Sequence, residues 1–389
     1  MRSASRCCCA TARRRAREPG VGSVTHVVVA LDSFKGSITA ADAAAAVAAG
    51  FEAAVGADAA VDVVLRPMAD GGEGTVAAFA AAVDGAERVP VTVRGPAGRP
   101  VESSWLRLPD GTGVVELAST SGIELLGEER RPWDADTFGF GQAIVAALDA
   151  GVSRLVLGIG SSASTDGGAG LLSALGARLR DASGAAIAPG ARGLADVASV
   201  DLSGLRPLPE GGVVVLSDVT NPLLGPAGAA AVFGPQKGLD ADGVARAESG
   251  LARLAALVGA DAATPGTGAA GGTGFALRAW GAQLRPGAAE VADLIGLADA
   301  VRGADLVVTG EGAYDGQSAA GKVPSFVVGL AAEAGVPVAL VAGRIAPEAD
   351  VAAFAASLSL TDLAGSPAAA MTDPARWLRA AGAALAARL

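Results

Sequence analysis

The sequence predicts an α/β protein in which a second α/β domain is inserted into the first. Short β-branched runs alternate with alanine-rich segments of helical length along most of the chain, and this alternation is typical of parallel sheets covered by helices. The length of 389 residues is also enough for two domains. A break in the alternation near residues 88–118 indicates where the second domain begins.

The first unit sets the pattern for the others. THVVVALD at 25–32 is predicted as a strand, DSFKGS follows as a loop, and TAADAAAAVAAGFEAAV is predicted as a helix. Thr39 and Asp42 have the spacing of a capping box, and Gly50 is a candidate helix stop. Four later segments repeat this order of strand and loop, and their strands are VDVVLR, RLVLGIG, VVVLSD and ADLVVT.

Residues 88–118 have a different pattern. RVPVTV, VESSWLRL and GVVELA are short strand-like runs separated by the turn sequences GPAGRP and PDGTG, which predicts an antiparallel meander. We therefore expect residues 1–22 to be a disordered extension, 23–80 plus 296–389 to form the first domain, and 81–295 to form the inserted domain.

Composition excludes several classes of protein. The formal net charge is −10, which argues against nucleic acid or an anionic membrane surface as a partner. No apolar stretch has the length of a spanning helix, so we expect a cytoplasmic protein. All three cysteines lie in the first 22 residues, and His26, at the very start of the first predicted strand, is the single histidine. The body of the chain therefore has neither a thiolate nucleophile nor a Ser-His-Asp triad.

The loop SSASTDGGAG at 161–170 directly follows a predicted buried strand. Its glycines allow backbone N–H groups to approach an anion, and its hydroxyls are further donors, so the loop resembles a phosphate cradle. Asp166 would repel bare phosphate, and we expect Mg²⁺ to lie between them.

Two other glycine patterns compete with this interpretation. Gly158, Gly160 and Ala163 match G-x-G-x-x-A with Asp181 about 20 residues on, as in an NAD-dependent dehydrogenase. Against that reading, the loop continues for five residues before its helix. Residues 316–322 match the start of a P-loop, but a valine and then a proline follow where Ser or Thr should bind Mg²⁺.

The 30 basic residues include only three lysines, Lys35, Lys237 and Lys322, and each lies in a glycine-containing loop. A lysine ammonium acts as a point charge beside phosphate, a role in which arginine is not equivalent. Acids, lysines, hydroxyls and glycines at strand ends together suit phosphoryl transfer.

Five long motifs match one known family in order and spacing. ALDSFKGSITA, PMADGGEGTV, GIGSSASTDGGAG, SDVTNPLLGPAGAAAVFGPQKG and VTGEGAYDGQSAAGKVP resemble the bacterial type I glycerate kinases. The resemblance implies ATP- and Mg²⁺-dependent phosphorylation of D-glycerate to 2-phosphoglycerate. It also implies a discontinuous Rossmann-like domain with an inserted flavodoxin-like domain. Ser161 departs from the pattern, since the family usually has glycine there.

With this resemblance, the candidate residues fall into four groups. The nucleotide-binding group is Gly160, Ser161, Ser162, Ser164, Thr165, Asp166, Gly167 and Gly168. The metal ligands are Asp166 and Asp218, and the catalytic group is Asp70, Asp315, Lys322 and Lys237, with Asp70 or Asp315 as base. The glycerate-binding group is Asp32, Ser33, Lys35, Arg66, Glu73, Glu311 and Arg344.

Three alternatives stay open at this point. Besides a glycerate kinase, these are a dehydrogenase that uses the G-x-G-x-x-A loop, a kinase of another small hydroxy acid, and a non-catalytic binding protein with the same loops. The sequence leaves a homodimer open as well.

Overall fold

The computed structural model describes residues 24–55, 60–315 and 322–389. The predicted extension at 1–22, with its three cysteines, lies outside the described residues, as do residues 316–321 of the P-loop-like motif.

Fifteen strands are formed within the described residues. In chain order, β1 to β15 are Val24–Leu31, Ala60–Leu65, Glu87–Arg94, Pro100–Arg107, Thr112–Glu116, Arg154–Gly158, Arg178–Arg180, Ser199–Asp201, Val213–Leu216, Gln283–Arg285, Leu306–Gly310, Ala313–Tyr314, Val338–Ala342, Arg344–Ile345 and Ala356–Ser359.

Fifteen α-helices accompany the strands in the same part of the chain. In chain order, α1 to α15 are Ala40–Ala54, Thr75–Ala82, Ala118–Ser121, Phe138–Asp149, Ala169–Ala174, Gly190–Leu194, Ala229–Phe233, Ala241–Val258, Ala269–Trp280, Gly287–Leu294, Leu297–Arg302, Val323–Ala334, Leu360–Ala364, Pro367–Thr372 and Pro374–Ala386. None of these helices in the described ranges is both long and apolar enough to cross a membrane.

The first sheet takes its strands from both ends of the described chain. Its order is β15-β13-β11-β1-β2, and all neighbours pair in parallel. The residues of these strands are largely valine, leucine and alanine, and β11 and β13 are buried throughout. Such continuous apolar runs are typical of parallel strands covered on both faces.

The second sheet takes its strands from the middle of the chain, in the order β10-β9-β6-β5-β4-β3. The predicted meander is confirmed, because β3, β4 and β5 pair antiparallel. The other pairs in this sheet are parallel. The meander therefore forms one edge of an otherwise parallel sheet.

The predicted α/β fold with parallel sheets is confirmed, and the strand orders add a detail. Numbered along the chain, the first sheet has the order 2-1-3-4-5 of flavodoxin-type sheets. The second sheet has its strands in simple sequence order. The flavodoxin-like order expected for the inserted sheet is thus found in the discontinuous one. We propose the boundaries 23–80 plus 296–389 and 81–295 for the two domains.

A shared hydrophobic core joins the two sheets. It contains Val28 and Val307 of the first sheet and Val156 and Leu216 of the second. Side chains of α2, α10, α11 and α12 complete this core. Because apolar surface from both sheets is buried in one cluster, the sheets hold a common layer of helices between them.

Gly50 lies where α1 packs closely against α15 and does not end the helix. Thr39 caps α1 as predicted, since its side chain accepts from the Asp42 N–H. The predicted stop at Gly50 is wrong, because α1 continues to Ala54. A Cβ at Gly50 would lie 2.1 Å from the Arg379 carbonyl oxygen of α15. Gly50 therefore allows the two backbones to approach.

We predict that Gly50→Ala destabilises the protein by about 1–3 kcal/mol, because the added methyl group forces α1 and α15 apart. Gly329→Ala in α12 is the matched control, since a Cβ there meets nothing within 4 Å. It should stabilise by about 0.5–1 kcal/mol through helix propensity. Urea unfolding of both variants measures the difference, and equal effects would contradict the close-contact explanation.

Candidate active site

A cleft lies at the carboxyl edge of the first sheet. Strands β1, β11, β13 and β15 are parallel, so the residues that follow them meet at one edge. The cleft has a volume of about 340 Å³. Its lining includes Asp32 and Ser33 after β1, Glu311 after β11 and Arg344 just after β13.

Most of the predicted glycerate and catalytic residues line this cleft. They are Asp32, Ser33, Lys35, Asp70, Glu311, Asp315, Lys322 and Arg344. Glu73 lines an adjoining cavity of about 290 Å³, which shares Ser33, Phe34, Lys35 and Ser37 with the cleft. Arg66 lines neither cavity, and its guanidinium donates to the carbonyl of the preceding residue, Leu65.

Asp32 is a carboxylate of the cleft with a strongly raised pKa. It is buried, and its Oδ1 accepts the Ser33 N–H at 2.7 Å. Desolvation, followed by the negative charge of Asp70, raises the pKa of Asp32 to about 7, and Glu311 acts in the same direction. A carboxyl with a pKa near neutrality is suited to accept a proton from a hydroxyl.

Two lysines bring positive charge to the same carboxylates. Lys35 Nζ lies 4.0 Å from Asp70 Oδ2, and Lys322 Nζ lies 3.7 Å from Glu311 Oε2. Lys322 is the N-cap of α12, and a proline occupies the first turn of that helix, as expected. The positive end of α12 therefore adds to the charge of Lys322 at the cleft.

The loop at 70–74 connects the cleft to the second sheet. The Gly160 N–H, after β6, donates to the Gly71 carbonyl oxygen at 2.9 Å. A Cβ at Gly71 would lie 2.3 Å from the Leu216 carbonyl oxygen, so only glycine allows this approach. Nearby, Asp218 accepts the Gly287 N–H at 2.9 Å. Desolvation and the charge of Asp70 raise the pKa of Asp218.

Asp166 lies inside the protein. Its carboxylate accepts five hydrogen bonds, which come from the Thr137 N–H and hydroxyl, the Ser164 hydroxyl, and the Gly168 and Gly170 N–H groups. The residue is fully buried. The Asp166 carboxylate thus takes the place that we expected for a phosphate. The predicted contact between Asp166 and Mg²⁺, direct or through water, has no support from this geometry and stays a prediction.

Three more polar residues of the predicted nucleotide loop, Ser162, Ser164 and Thr165, are also buried, and Lys237 contacts the loop from inside the protein. Lys237 is buried, and its Nζ donates to Ser162 Oγ at 2.7 Å and to the Ser164 carbonyl oxygen at 2.5 Å. Burial lowers the pKa of Lys237 to about 7, against the attraction of Asp166. Thr165 is buried, and its hydroxyl has no hydrogen-bond partner among the residues that the structure describes. Lys237 therefore braces the loop from within and does not line the cleft.

Gly160 and Ser161 are the part of this loop that reaches the surface. Gly160 is half-buried and Ser161 is exposed. Ser161 has φ 58°, in the left-handed region that favours glycine. The serine at this family glycine position therefore keeps the glycine-like backbone. Gly167 and Gly168 also have positive φ, but they lie buried against side chains of α8 and α9.

The dehydrogenase motif lacks the structure that it requires. Helix α5 begins at Ala169, well after the G-x-G-x-x-A match. Asp181 lies in an exposed turn, where its Oδ1 accepts from Ser183. His26 lies within β1, and its Nδ1 is 3.0 Å from Asp62 Oδ2.

Residues 24–55, 60–315 and 322–389 contain no group of three His, Cys, Asp or Glu side chains placed to hold a metal ion. The cleft nevertheless offers carboxylate oxygens, the donors that Mg²⁺ prefers. Mg²⁺ is commonly held by one or two carboxylates together with substrate phosphates. Asp70 fits that role, because it lies in the cleft and close to both Asp32 and Asp218.

Sequence reasoning missed one wall of the cleft. Thr361 follows β15, so the strand-end rule that found Asp32 and Glu311 also points to it. Met371 and Pro374 belong to α14 and α15. They follow no strand directly, and only the tertiary packing of these helices brings them to the site.

Comparison with known proteins identifies the family. The model of the glycerate kinase family matches residues 27–389. The chain belongs to the glycerate kinase family. A Bacillus subtilis (strain 168) relative named glycerate kinase is 42% identical over 333 residues, covering 83% of this chain and 86% of the relative. An Escherichia coli (strain K12) relative named glycerate 2-kinase is 41% identical over 334 residues, covering 84% and 87%.

A solved structure agrees with this family assignment. A crystal structure from Salmonella typhimurium LT2, which carries the name glycerate kinase 2, superposes with a TM-score of 0.80 at 39% identity. The match covers 94% of this chain and 98% of that one. The chain is accordingly a kinase with the two-domain α/β fold of its glycerate kinase relatives.

We predict that Ser161→Gly raises the free energy of unfolding by about 0.5–1 kcal/mol, because glycine adopts positive φ without steric cost. Ser161→Val should lower it, since a β-branched residue tolerates this backbone poorly. Thermal or urea unfolding measures both variants, and a destabilised Ser161→Gly protein would contradict the backbone-strain argument.

We predict that Asp32→Asn stabilises the free protein at pH 8 by about 1–3 kcal/mol. The pKa of Asp32 in the folded protein is raised to about 7 from the usual aspartate value of 3.8, so wild-type stability falls as pH rises between these values. The amide carries no charge and escapes that cost. No gain is expected near pH 4, where the carboxyl in the folded protein is protonated.

Urea unfolding at both pH values tests this prediction. Asp181→Asn is the control, because hydrogen bonds from Ser183 lower the pKa of this exposed carboxylate. Asp181→Asn should show no gain in the free energy of unfolding at pH 8. An Asp32→Asn protein with the same pH dependence as wild type would contradict the raised pKa.

Proposed function

We propose that this enzyme transfers the γ-phosphoryl group of ATP to a hydroxyl of D-glycerate and forms 2-phosphoglycerate. The observation that carries the proposal is the convergence of four carboxylates and three cations in one cleft. These residues are Asp32, Asp70, Glu311, Asp315, Lys35, Lys322 and Arg344. Phosphoryl transfer requires a base, a metal held by carboxylates and cations beside the phosphates, and this set provides all three.

The relatives support glycerate as the acceptor. The Bacillus subtilis relative is named glycerate kinase, and the Escherichia coli relative is named glycerate 2-kinase. The second name supports transfer to the 2-hydroxyl. In the cleft, Lys35 and Arg344 are exposed cations suited to bind the glycerate carboxylate. We also propose that the reaction takes place in the cytoplasm.

We assign the base to Asp32 in preference to Asp70 or Asp315. It follows β1 at the point where the strand order of the first sheet reverses, between β1 and β11, which is the usual ligand position in such sheets. Asp32 would take the hydroxyl proton as the glycerate oxygen bonds to the γ-phosphorus and the bond to the β-phosphate oxygen breaks, releasing ADP. Lys322 and Lys35 would offset the charge on the phosphoryl oxygens.

Magnesium would be held by Asp70 together with the nucleotide phosphates. It would supply charge neutralisation of the transferring phosphoryl group. Asp218 is close enough to Asp70 for their charges to interact, and we keep it as a second candidate ligand. Lys237, proposed from sequence as catalytic, is given a positioning role because it braces the 161–168 loop.

We expect ADP release with D-glycerate, and none above background with lactate or glycerol. Tartronate is the discriminating competitor, because it has a second carboxylate in place of the glycerate hydroxymethyl group. A coupled ADP-release assay compares the four compounds, and phosphorus NMR identifies the product. ADP release with tartronate alone would favour a kinase of another hydroxy acid, and an NAD-dependent absorbance change without ADP release would favour the dehydrogenase.

We predict that Asp32→Asn lowers kcat by about 10²–10⁴-fold, the range for loss of a general base, and changes the KM for glycerate much less. Steady-state kinetics with ATP and Mg²⁺ measure both constants. Asp181→Asn, at the residue that a dinucleotide site would use, should keep wild-type kinetics. A kcat within threefold of wild type for Asp32→Asn would rule out Asp32 as the base.

A further inference from the structure

The cleft has two chemically different halves. One half carries the carboxylates and lysines described above. The other half is apolar and is formed by the C-terminal helices α13, α14 and α15. Its residues are Leu360, Pro367, Ala370, Met371 and Pro374. Thr361 lies within the same helical segment and provides a hydroxyl beside the apolar residues.

Glycerate has no apolar group that would bind to the apolar half. Each of its three carbon atoms carries oxygen, so its transfer from water onto apolar side chains is unfavourable. The cleft volume of about 340 Å³ falls in the range of sites for much larger organic ligands. A second ligand with an apolar part therefore has to be considered.

Met371 points to the same conclusion. It is 62% exposed, the highest value among the large hydrophobic residues of the described chain. Leu360 and Ala370 of the same lining are buried, whereas Met371 is exposed and offers apolar surface to a ligand in the cleft. Methionine makes favourable contacts with the edges and faces of aromatic rings.

We propose that this apolar half, defined by Leu360, Pro367, Ala370, Met371 and Pro374, binds the heteroaromatic base of the nucleotide. The proposal rests on the proposed function for the identity of the ligand. A purine base is flat and has apolar faces, which proline and methionine side chains cover well. An amino group on its polar edge would donate to the Thr361 hydroxyl oxygen in the same wall, since that hydroxyl gives its own proton to the Gly343 carbonyl oxygen at 2.9 Å.

The charged half is placed to hold the phosphates of the same molecule. Lys322 lines the cleft at the N-cap of α12, and within the described ranges, which omit 316–321, no side chain caps the N–H groups of that helix end. A 12-residue helix presents positive potential at such an end, which favours phosphate. One nucleotide would therefore extend from the apolar wall to Lys322, with its terminal phosphate toward Asp32 and Asp70.

The loop at 161–168 does not offer the same combination. The N–H groups of Thr137, Gly168 and Gly170 already bind the Asp166 carboxylate. Ser162 and Ser164 are occupied by Lys237 and Asp166. The anion site that this loop could form is thus filled from within, which favours the cleft as the nucleotide site.

Calorimetric titration of ADP with Mg²⁺ tests the proposal, with tripolyphosphate as the probe that lacks a base. Met371→Ser should weaken ADP binding by about 5–30-fold through loss of apolar contact, and should leave tripolyphosphate binding within twofold of wild type. Met371→Leu should keep wild-type ADP binding. Leu257→Ser is the matched control, because Leu257 is an exposed leucine of α8 outside the cleft.

The two hypotheses fail in different ways. Unchanged ADP binding in Met371→Ser, or an equal loss of ADP and tripolyphosphate binding, would overturn the base-binding wall. A wild-type protein that binds tripolyphosphate but not ADP would overturn it as well. All titrations omit glycerate, so a failure to phosphorylate glycerate would count against the proposed function and leave these binding results interpretable.

Discussion

The parallel pairing of β1 with β11 is the constraint on which the candidate site depends. Leu31 and Gly310 are partners in this register, so Asp32 and Glu311 follow them at the same edge. The other three strands of the sheet end there too, and each adds a loop to the cleft. In a sheet of alternating strands and helices, charged side chains that are distant in sequence therefore come together at one edge.

Concentrating these charges has a cost to folding. The pKa of Asp32 is raised to about 7, so its ionised form is disfavoured in the folded protein at neutral pH. Burial of apolar side chains in the large cores around both sheets offsets the free-energy cost of such a group. A carboxyl that is costly to ionise is also one that holds a proton well enough to act as a base near neutral pH.

The second sheet uses buried acids in a different way. Asp166 collects N–H groups at the start of both α4 and α5, and Glu116 accepts the Val76 N–H at the start of α2. Each carboxylate satisfies helix ends that would otherwise be buried without partners. Acid-and-glycine loops therefore line the candidate cleft in one sheet and cap helices internally in the other, although their sequences look alike.

The sequence by itself determined the α/β class, the antiparallel meander, the cap at Thr39 and the charged residues of the cleft, because periodicity and strand-end position are local properties. Tertiary structure alone decided that Asp166 and Lys237 point inward, that Gly50 lies under α15, and that Met371 reaches the cleft. These facts depend on which elements pack together, and a side chain's surroundings are fixed only when segments distant in sequence meet.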